Sequence, residues 1–62
     1  MKRRDLLIHL RQHDCRFVRE GEEHSIWENP ITKRRTSIPR HREIPDYTAG
    51  RIFKQLGIPL PK

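Results

Sequence analysis

The sequence has few of the features, other than a hydrophobic core, that stabilise very small proteins. It contains one cysteine, Cys15, which excludes an internal disulfide, and its four histidines lack the spacing of zinc ligands. We therefore expect no metal and no cofactor, and we expect Cys15 to be a small core residue. Only 32% of the residues are hydrophobic and 6% aromatic, so the single domain expected over residues 1–62 has a thin core. A binding partner often completes such a domain.

Long apolar segments and acidic residues are also scarce. No segment approaches the ~20 apolar residues of a membrane-spanning helix, and residues 1–5 lead into no signal-peptide core. We therefore expect a cytoplasmic protein with no membrane partner. Lysine and arginine total 14 against eight aspartate and glutamate residues, which gives a net charge of +6 and a pI near 10.5. This excess favours a polyanionic partner, and nucleic acid is the leading candidate.

Two segments have apolar residues at helical spacing. These residues are Leu6, Leu7 and Leu10 in the first segment, and Ala49, Ile52, Phe53 and Leu56 in the second. The spacing predicts one helix over residues 2–13 and another that begins at Asp46 or Thr48. Gly57 follows the second apolar stripe, at a position where a left-handed residue commonly ends a helix.

Between the predicted helices, three short segments are rich in aromatic and β-branched residues and are separated by turn signals. They predict antiparallel strands over residues 15–20, 24–29 and 34–39. We expect Gly21 to form the first turn because glycine accepts a positive φ without steric cost. Residues 29–33, which include a proline, form the second turn.

The strand period of two divides the residues of the predicted sheet between two faces. The face expected to lie under the helices contains Phe17, Ile26, Thr36 and Ile38, and the opposite face contains Ser25, Trp27, Arg35 and Ser37. In the alternative register, slipped by one residue, Trp27 is buried and Ile26 turns outward. The order α-β-β-β-α predicts an α+β fold with two helices on one face of a three-stranded antiparallel sheet, as in the double-stranded-RNA-binding fold.

Several short motifs of the chain, in this order and spacing, carry a family resemblance. They are Asp5-Leu6-Leu7, Phe17-Val18-Arg19, the Gly21 turn with His24, Ile38-Pro39-Arg40-His41, and Lys54-Gln55-Leu56-Gly57-Ile58. Together they resemble the HicA family, the RNA-cleaving toxins of bacterial type II toxin–antitoxin modules, which HicB antitoxins neutralise. The resemblance implies that His24 is the catalytic histidine, that Gly21 positions it, and that the protein cuts translated messenger RNA without a metal. Asp14 replaces a glycine usual in the family, and Glu22 and Glu23 separate Gly21 from His24.

A single histidine beside cations is chemically sufficient for RNA cleavage. The ribose 2′-hydroxyl supplies the nucleophile, and an imidazole, which titrates near pH ~6.5, is suited to general acid–base catalysis. The expected product is a 2′,3′-cyclic phosphate, and His24 could act as base, acid or both. Arginines are expected to bind the phosphate and stabilise its transition state, and the candidates are Arg19, Arg34, Arg35, Arg40 and Arg42.

Two further residues have both a functional and a structural interpretation. His41, between two arginines, is either a second proton-transfer group or part of a basic loop. Trp27 either stacks on an unpaired base or packs in the sheet. At the level of the whole protein, the alternatives to a nuclease are a non-catalytic RNA-binding module and a degenerate toxin retained for binding its partner protein.

Overall fold

The computed structural model describes residues 1–61, which form two α-helices and one three-stranded sheet. The elements in chain order are α1 (Arg3–Gln12), β1 (Arg16–Glu20), β2 (His24–Asn29), β3 (Arg34–Pro39) and α2 (Asp46–Leu56). The sheet is antiparallel with the strand order β1-β2-β3. The predicted α+β fold and its order of elements are therefore confirmed. None of the helices in this part of the chain is long and apolar enough to cross a membrane.

Both helices pack their apolar stripes onto the same face of the sheet. Leu6 and Leu10 of α1 are fully buried, whereas Leu7 is only partly buried. The predicted stripe of α2 is buried along its whole length. Two side-chain hydrogen bonds connect α2 to the sheet: the Asn29 amide donates to the Leu56 carbonyl over 2.9 Å, and the Thr36 hydroxyl donates to Gln55 over 2.6 Å.

The two helices end in the same backbone motif, with a left-handed residue after the last turn. Gly57 has a φ of 73°, as predicted, and Asp14 has a φ of 65°. After α1, the Cys15 N–H donates to the Leu10 carbonyl, and after α2 the Ile58 N–H donates to the Phe53 carbonyl. These are the bonds of a Schellman motif, which favours glycine at the left-handed position. Asp14 is one of the few non-glycine residue types that tolerate this conformation.

The register of the sheet differs from the predicted one. Ser25 pairs with Ile38, and Trp27 pairs with Thr36, so Ser25 and Trp27 lie under the helices. Ile26 pairs with Ser37 on the open face, the face that the helices leave uncovered. The prediction was therefore wrong for Ile26, Ser25 and Trp27, and the slipped register is correct. Burying the indole of Trp27 removes far more apolar area from water than burying Ile26 would.

Phe17 was predicted to be a core residue, but it is 48% exposed. It belongs to β1, an edge strand, and pairs with Trp27. The Phe17 ring packs edge-on against the indole of Trp27, with the ring centroids 6.1 Å apart. A bulge at Val18 then shifts the pairing, so that Arg19 faces Ile26. Phe17 therefore covers the margin of the core rather than its centre.

Gly21 does form the first turn, but not for the predicted reason, because its φ is not positive. The Gly21 N–H donates to the His24 carbonyl over 2.7 Å. A Cβ atom at position 21 would lie 3.1 Å from that same carbonyl oxygen, which is closer than side chains normally approach. Position 21 therefore favours glycine, because any side chain would require the His24 carbonyl to shift by a few tenths of an ångström.

Candidate active site

His24 is the first residue of β2 and lies opposite Pro39, the last residue of β3. Its side chain is exposed and contributes to two shallow recesses. The turn recess is lined by His24 together with Arg19, Glu22 and Glu23. The helix recess is lined by His24 together with Thr48, Arg51 and Gln55 of α2. A ligand in either recess can therefore contact the imidazole.

The backbone around His24 is held by a network of polar side chains that begins in α1. Arg3 donates through Nε to the Pro39 carbonyl over 3.0 Å and through Nη2 to the Ser25 hydroxyl over 2.9 Å. The buried Ser25 hydroxyl in turn donates to Glu20 over 2.5 Å. Arg3 thus fixes the residue after His24 and the residue opposite His24. These bonds give His24 a defined position although its own ring is exposed.

Arg40 completes this network at the turn. Its guanidinium forms an ion pair with Glu20 and donates to the Gly21 carbonyl over 2.6 Å. Glu20 therefore accepts from Ser25 and Arg40 together, one residue before the turn. The carboxylate neutralises part of the charge of Arg40, whose role here is to hold the Gly21–His24 turn.

Arg51 is a candidate functional residue that was not predicted from the sequence. It lies on the exposed side of α2 and lines the helix recess with His24. The only charged side chain among the described residues that line this recess is Arg51, and none of them is acidic. The turn recess, in contrast, contains Glu22 and Glu23. The helix recess is therefore the more favourable of the two for a phosphate group.

A comparison with family models identifies the family of the chain. The family model for the HicA toxin of bacterial toxin-antitoxin systems matches residues 3–58 of the 62-residue chain. The chain belongs to the HicA toxin family. It is therefore the toxin of a toxin–antitoxin pair, and an antitoxin is its partner. No curated protein and no solved structure matches the sequence.

The five arginines predicted to bind phosphate do not converge on one point in this HicA toxin. Arg19 lines the turn recess, and Arg40 holds the turn. Arg35 is paired with Glu28 over 3.1 Å, and Arg34 lies opposite Asn29 at the end of the sheet remote from His24. Arg42 follows β3 and faces α1 in a separate groove. Of these five, Arg19 and Arg40 are the ones next to the His24 turn.

The Arg35–Glu28 pair is part of a cross-strand cluster on the open face of the HicA sheet. Glu28 of β2 accepts from Arg16 of β1 over 2.8 Å and from Arg35 of β3 over 3.1 Å. The hydrogen bonds from Arg16 and Arg35 hold the pKa of the Glu28 carboxyl below its ordinary value, although partial burial opposes this shift. Glu28 therefore links the three strands, and Arg35 is engaged in this cluster because the register of the sheet places it opposite Glu28.

The structure also places the two residues of this toxin that had alternative interpretations. Trp27 is 4% exposed, so its ring is covered by the core and cannot stack on a base. Of the two interpretations of Trp27, packing in the sheet is therefore the one that the structure supports, because Trp27 lies on the helix-covered face. His41 is exposed in the segment after β3 and lines neither recess. Among residues 1–61, no three His, Cys, Asp or Glu side chains are grouped as metal ligands would be.

Proposed function

We propose that this HicA toxin is a metal-independent endoribonuclease that cleaves messenger RNA in the cytoplasm, with His24 as its catalytic residue. The observation that carries the proposal is the shared helix recess of His24 and Arg51, in which an exposed imidazole and a guanidinium flank one cavity whose own lining contains no acidic side chain. A proton-transfer group next to a cation is the minimum that cleavage by the ribose 2′-hydroxyl requires.

In the proposed reaction, the scissile phosphate binds in the helix recess and hydrogen-bonds to Arg51. The neutral His24 imidazole takes the proton of the 2′-hydroxyl, the 2′-oxygen bonds to phosphorus, and the bond from phosphorus to the 5′-oxygen breaks. The 5′-oxygen then takes a proton from the imidazolium or from water. The products are a 2′,3′-cyclic phosphate and a 5′-hydroxyl. Arg51 stabilises the negative charge that builds up on the phosphate oxygens in the transition state.

The decisive experiment is cleavage of single-stranded RNA by the purified toxin in excess chelator. We expect the wild-type protein to release fragments that end in a 2′,3′-cyclic phosphate. His24→Ala should reduce the rate by roughly 10²–10⁴-fold, the usual contribution of a general acid–base group. The matched control is His41→Ala, which removes an exposed imidazole outside both recesses and should leave cleavage unchanged. A wild-type toxin that binds RNA and never cuts it would contradict the proposal.

Glu22 and Glu23 favour a second candidate function, a toxin that binds RNA or its protein partner without catalysis. Both carboxylates line the turn recess beside His24, where they repel the phosphates of an approaching strand. Replacing both by serine separates the candidates. In a catalytic toxin this change should increase the rate of RNA cleavage, whereas in a non-catalytic toxin it should strengthen RNA binding and produce no fragments.

For the protein partner, we propose a HicB-like antitoxin that covers His24. A protein with net charge +6 is attracted to an acidic partner, and such a partner blocks the approach of RNA if it covers both recesses. Addition of a purified HicB-like protein should therefore stop cleavage and protect the His24 ring from chemical modification. An antitoxin that inhibits cleavage while His24 stays equally reactive would contradict this mode of inhibition.

A further inference from the structure

A third concave surface, outside the two recesses, lies between the beginning of α1 and the segment that follows β3. Its volume is about 690 Å³, which is larger than that of either recess. We call it the basic groove and define it by Lys2, Arg3, Arg4, Arg40 and Arg42. Its lining also includes Leu7 and Glu43, so five cations face a single acid. The groove is thus a site of strong positive potential.

The side chains of the groove differ in how far they are already engaged. Arg3 is half-buried, and its guanidinium already donates to Ser25 and Pro39, so its orientation is fixed within the fold. Lys2, Arg4 and Arg42 are exposed. The ion pair of Arg4 with Asp5 is long, at 3.7 Å, and both side chains are largely in water, where such a pair is weak. These three exposed cations are therefore free to exchange partners.

Backbone bonds fix the two sides of the groove relative to each other. The Arg3 N–H donates to the Arg42 carbonyl over 2.8 Å, and Lys2 forms an isolated antiparallel bridge with Glu43. The start of α1 and the segment after β3 therefore form one rigid unit. A preformed groove of this kind binds a charged ligand without first paying a large ordering entropy.

The basic groove leads towards the His24 turn through Arg40. Arg40 lines the groove, and its guanidinium bonds to the carbonyl of Gly21, which lines the turn recess. One extended ligand can therefore occupy the groove and reach His24. We propose that the basic groove binds the phosphates of the same RNA strand that is cleaved at His24, an inference that rests on the proposed nuclease function.

The chemistry of the groove favours a single-stranded RNA backbone over a protein segment. Arginine guanidiniums bind phosphate oxygens in a bidentate manner, and the groove presents several of them with Leu7 as its one apolar side chain. A peptide of an antitoxin would require apolar pockets for its anchoring side chains. Because phosphate contacts carry no base information, binding in the groove should depend on the length and charge of the RNA, not on its sequence.

The test uses the toxin with His24→Ala, so that RNA is bound but not cut, and a labelled single-stranded RNA of about 12 nucleotides. Replacing Arg4 and Arg42 by alanine should weaken binding roughly tenfold. It should also reduce the slope of log K against log salt by about 1.4, because each phosphate contact of a single strand contributes about 0.7. The control, Lys33→Asn with Lys54→Ala, removes two exposed charges elsewhere and should change affinity and slope much less.

Each outcome separates this inference from the proposed nuclease. If Arg4→Ala with Arg42→Ala alters affinity and slope no more than the control does, the groove is not an RNA site, even if the wild-type toxin cleaves RNA. If the groove variant loses antitoxin binding but keeps RNA binding, the groove is a protein interface and the inference is wrong. With the His24-containing toxin, the groove variant should raise KM more for the long RNA than for a dinucleotide. If the wild-type toxin never cleaves RNA, only the proposed nuclease function is contradicted. The binding measurement on the His24→Ala protein does not depend on cleavage.

Discussion

Arg3 of α1 hydrogen-bonds to the buried hydroxyl of Ser25, 22 positions away in the chain, over 2.9 Å. The same guanidinium bonds to the carbonyl of Pro39. Because Ser25 follows His24 and Pro39 lies opposite it, the first helix fixes the geometry of the candidate active site without touching the imidazole. Arg3 is thus a positioning residue for His24, whose own side chain is exposed to solvent.

The first prediction concerns this contact. Arg3→Ala leaves the buried Ser25 hydroxyl with one partner fewer and should lower the free energy of unfolding by about 1–3 kcal/mol, as measured by urea denaturation. Arg4→Ala is the matched control, since Arg4 is exposed and its loss should change stability by about 0.5 kcal/mol or less. Equal stability of the two variants would show that the Arg3 network does not support the fold.

A second prediction assigns the phosphate contact to α2. Arg51→Ala should lower kcat for RNA cleavage by about 10²–10³-fold, the cost of removing one donor to a developing oxyanion. Stability should be nearly unchanged because Arg51 is exposed. Lys54→Ala, on an exposed position of the same helix, is the control and should retain full activity. If both variants cleave RNA at the wild-type rate, the scissile phosphate does not bind in the helix recess.

The third prediction follows from the left-handed residues that end the helices. Asp14→Gly should stabilise the protein by about 1 kcal/mol because glycine removes the steric cost of the positive φ. In a domain of this size, that gain raises Tm by roughly 4–8 °C. Gly57→Ala should have the opposite effect, since its new Cβ atom also meets the Thr32 methyl group at 3.3 Å. Thermal unfolding of both variants is the measurement, and a lower Tm for Asp14→Gly would contradict the argument.

The fourth prediction concerns acid stability. The pKa of Glu28 is lowered in the folded state, so the contribution of its charge is present above its unfolded pKa of about 4.3 and is lost as pH falls through the folded value. Glu28→Gln should therefore be less stable than wild type at neutral pH, and the difference should shrink below about pH 4. Urea denaturation of both proteins at several pH values between neutral and acidic measures this difference in stability.

Variants of the neighbouring arginines provide the control for this acid effect. Arg35→Ala removes one partner of Glu28 and should make stability less dependent on pH in the acidic range. Arg34→Ala, at the adjacent position of β3, removes a charge that does not contact Glu28 and should leave the acid dependence as in wild type. A constant difference between Glu28→Gln and wild type at every pH would contradict the proposed ionic role of Glu28.

The elements of the fold were predictable because their signals are local. The stripe of α2 and the left-handed Gly57 depend on residues within a few positions of each other. The register of the sheet was not predictable, because a strand period of two is compatible with either face being buried. Which face is buried depends on the packing of the helices. The observed register buries Trp27 and turns Ile26 to the open face, and it removes Trp27 from the candidate site.

The candidate site was predictable only in part, for a related reason. His24 became a candidate through a turn motif and a family resemblance, both of which depend only on the order and spacing of residues along the chain. Arg51 became a candidate only when α2 was placed against β3, which brings it into the recess of His24. Likewise, the engagement of Arg35 by Glu28 depends on cross-strand pairing, and no spacing along the chain indicates it.

The reaction rate of the single cysteine can be used to measure the unfolding of this toxin. Cys15 follows α1 and is 5% exposed, and burial, followed by the charge of Asp14, raises the pKa of its thiol. Alkylating reagents attack the thiolate, so the folded protein should react slowly and the unfolded chain quickly. With no second thiol in the sequence to confuse the signal, the rate of labelling measures how often the free toxin opens, and its decrease on adding antitoxin measures how much the complex stabilises it.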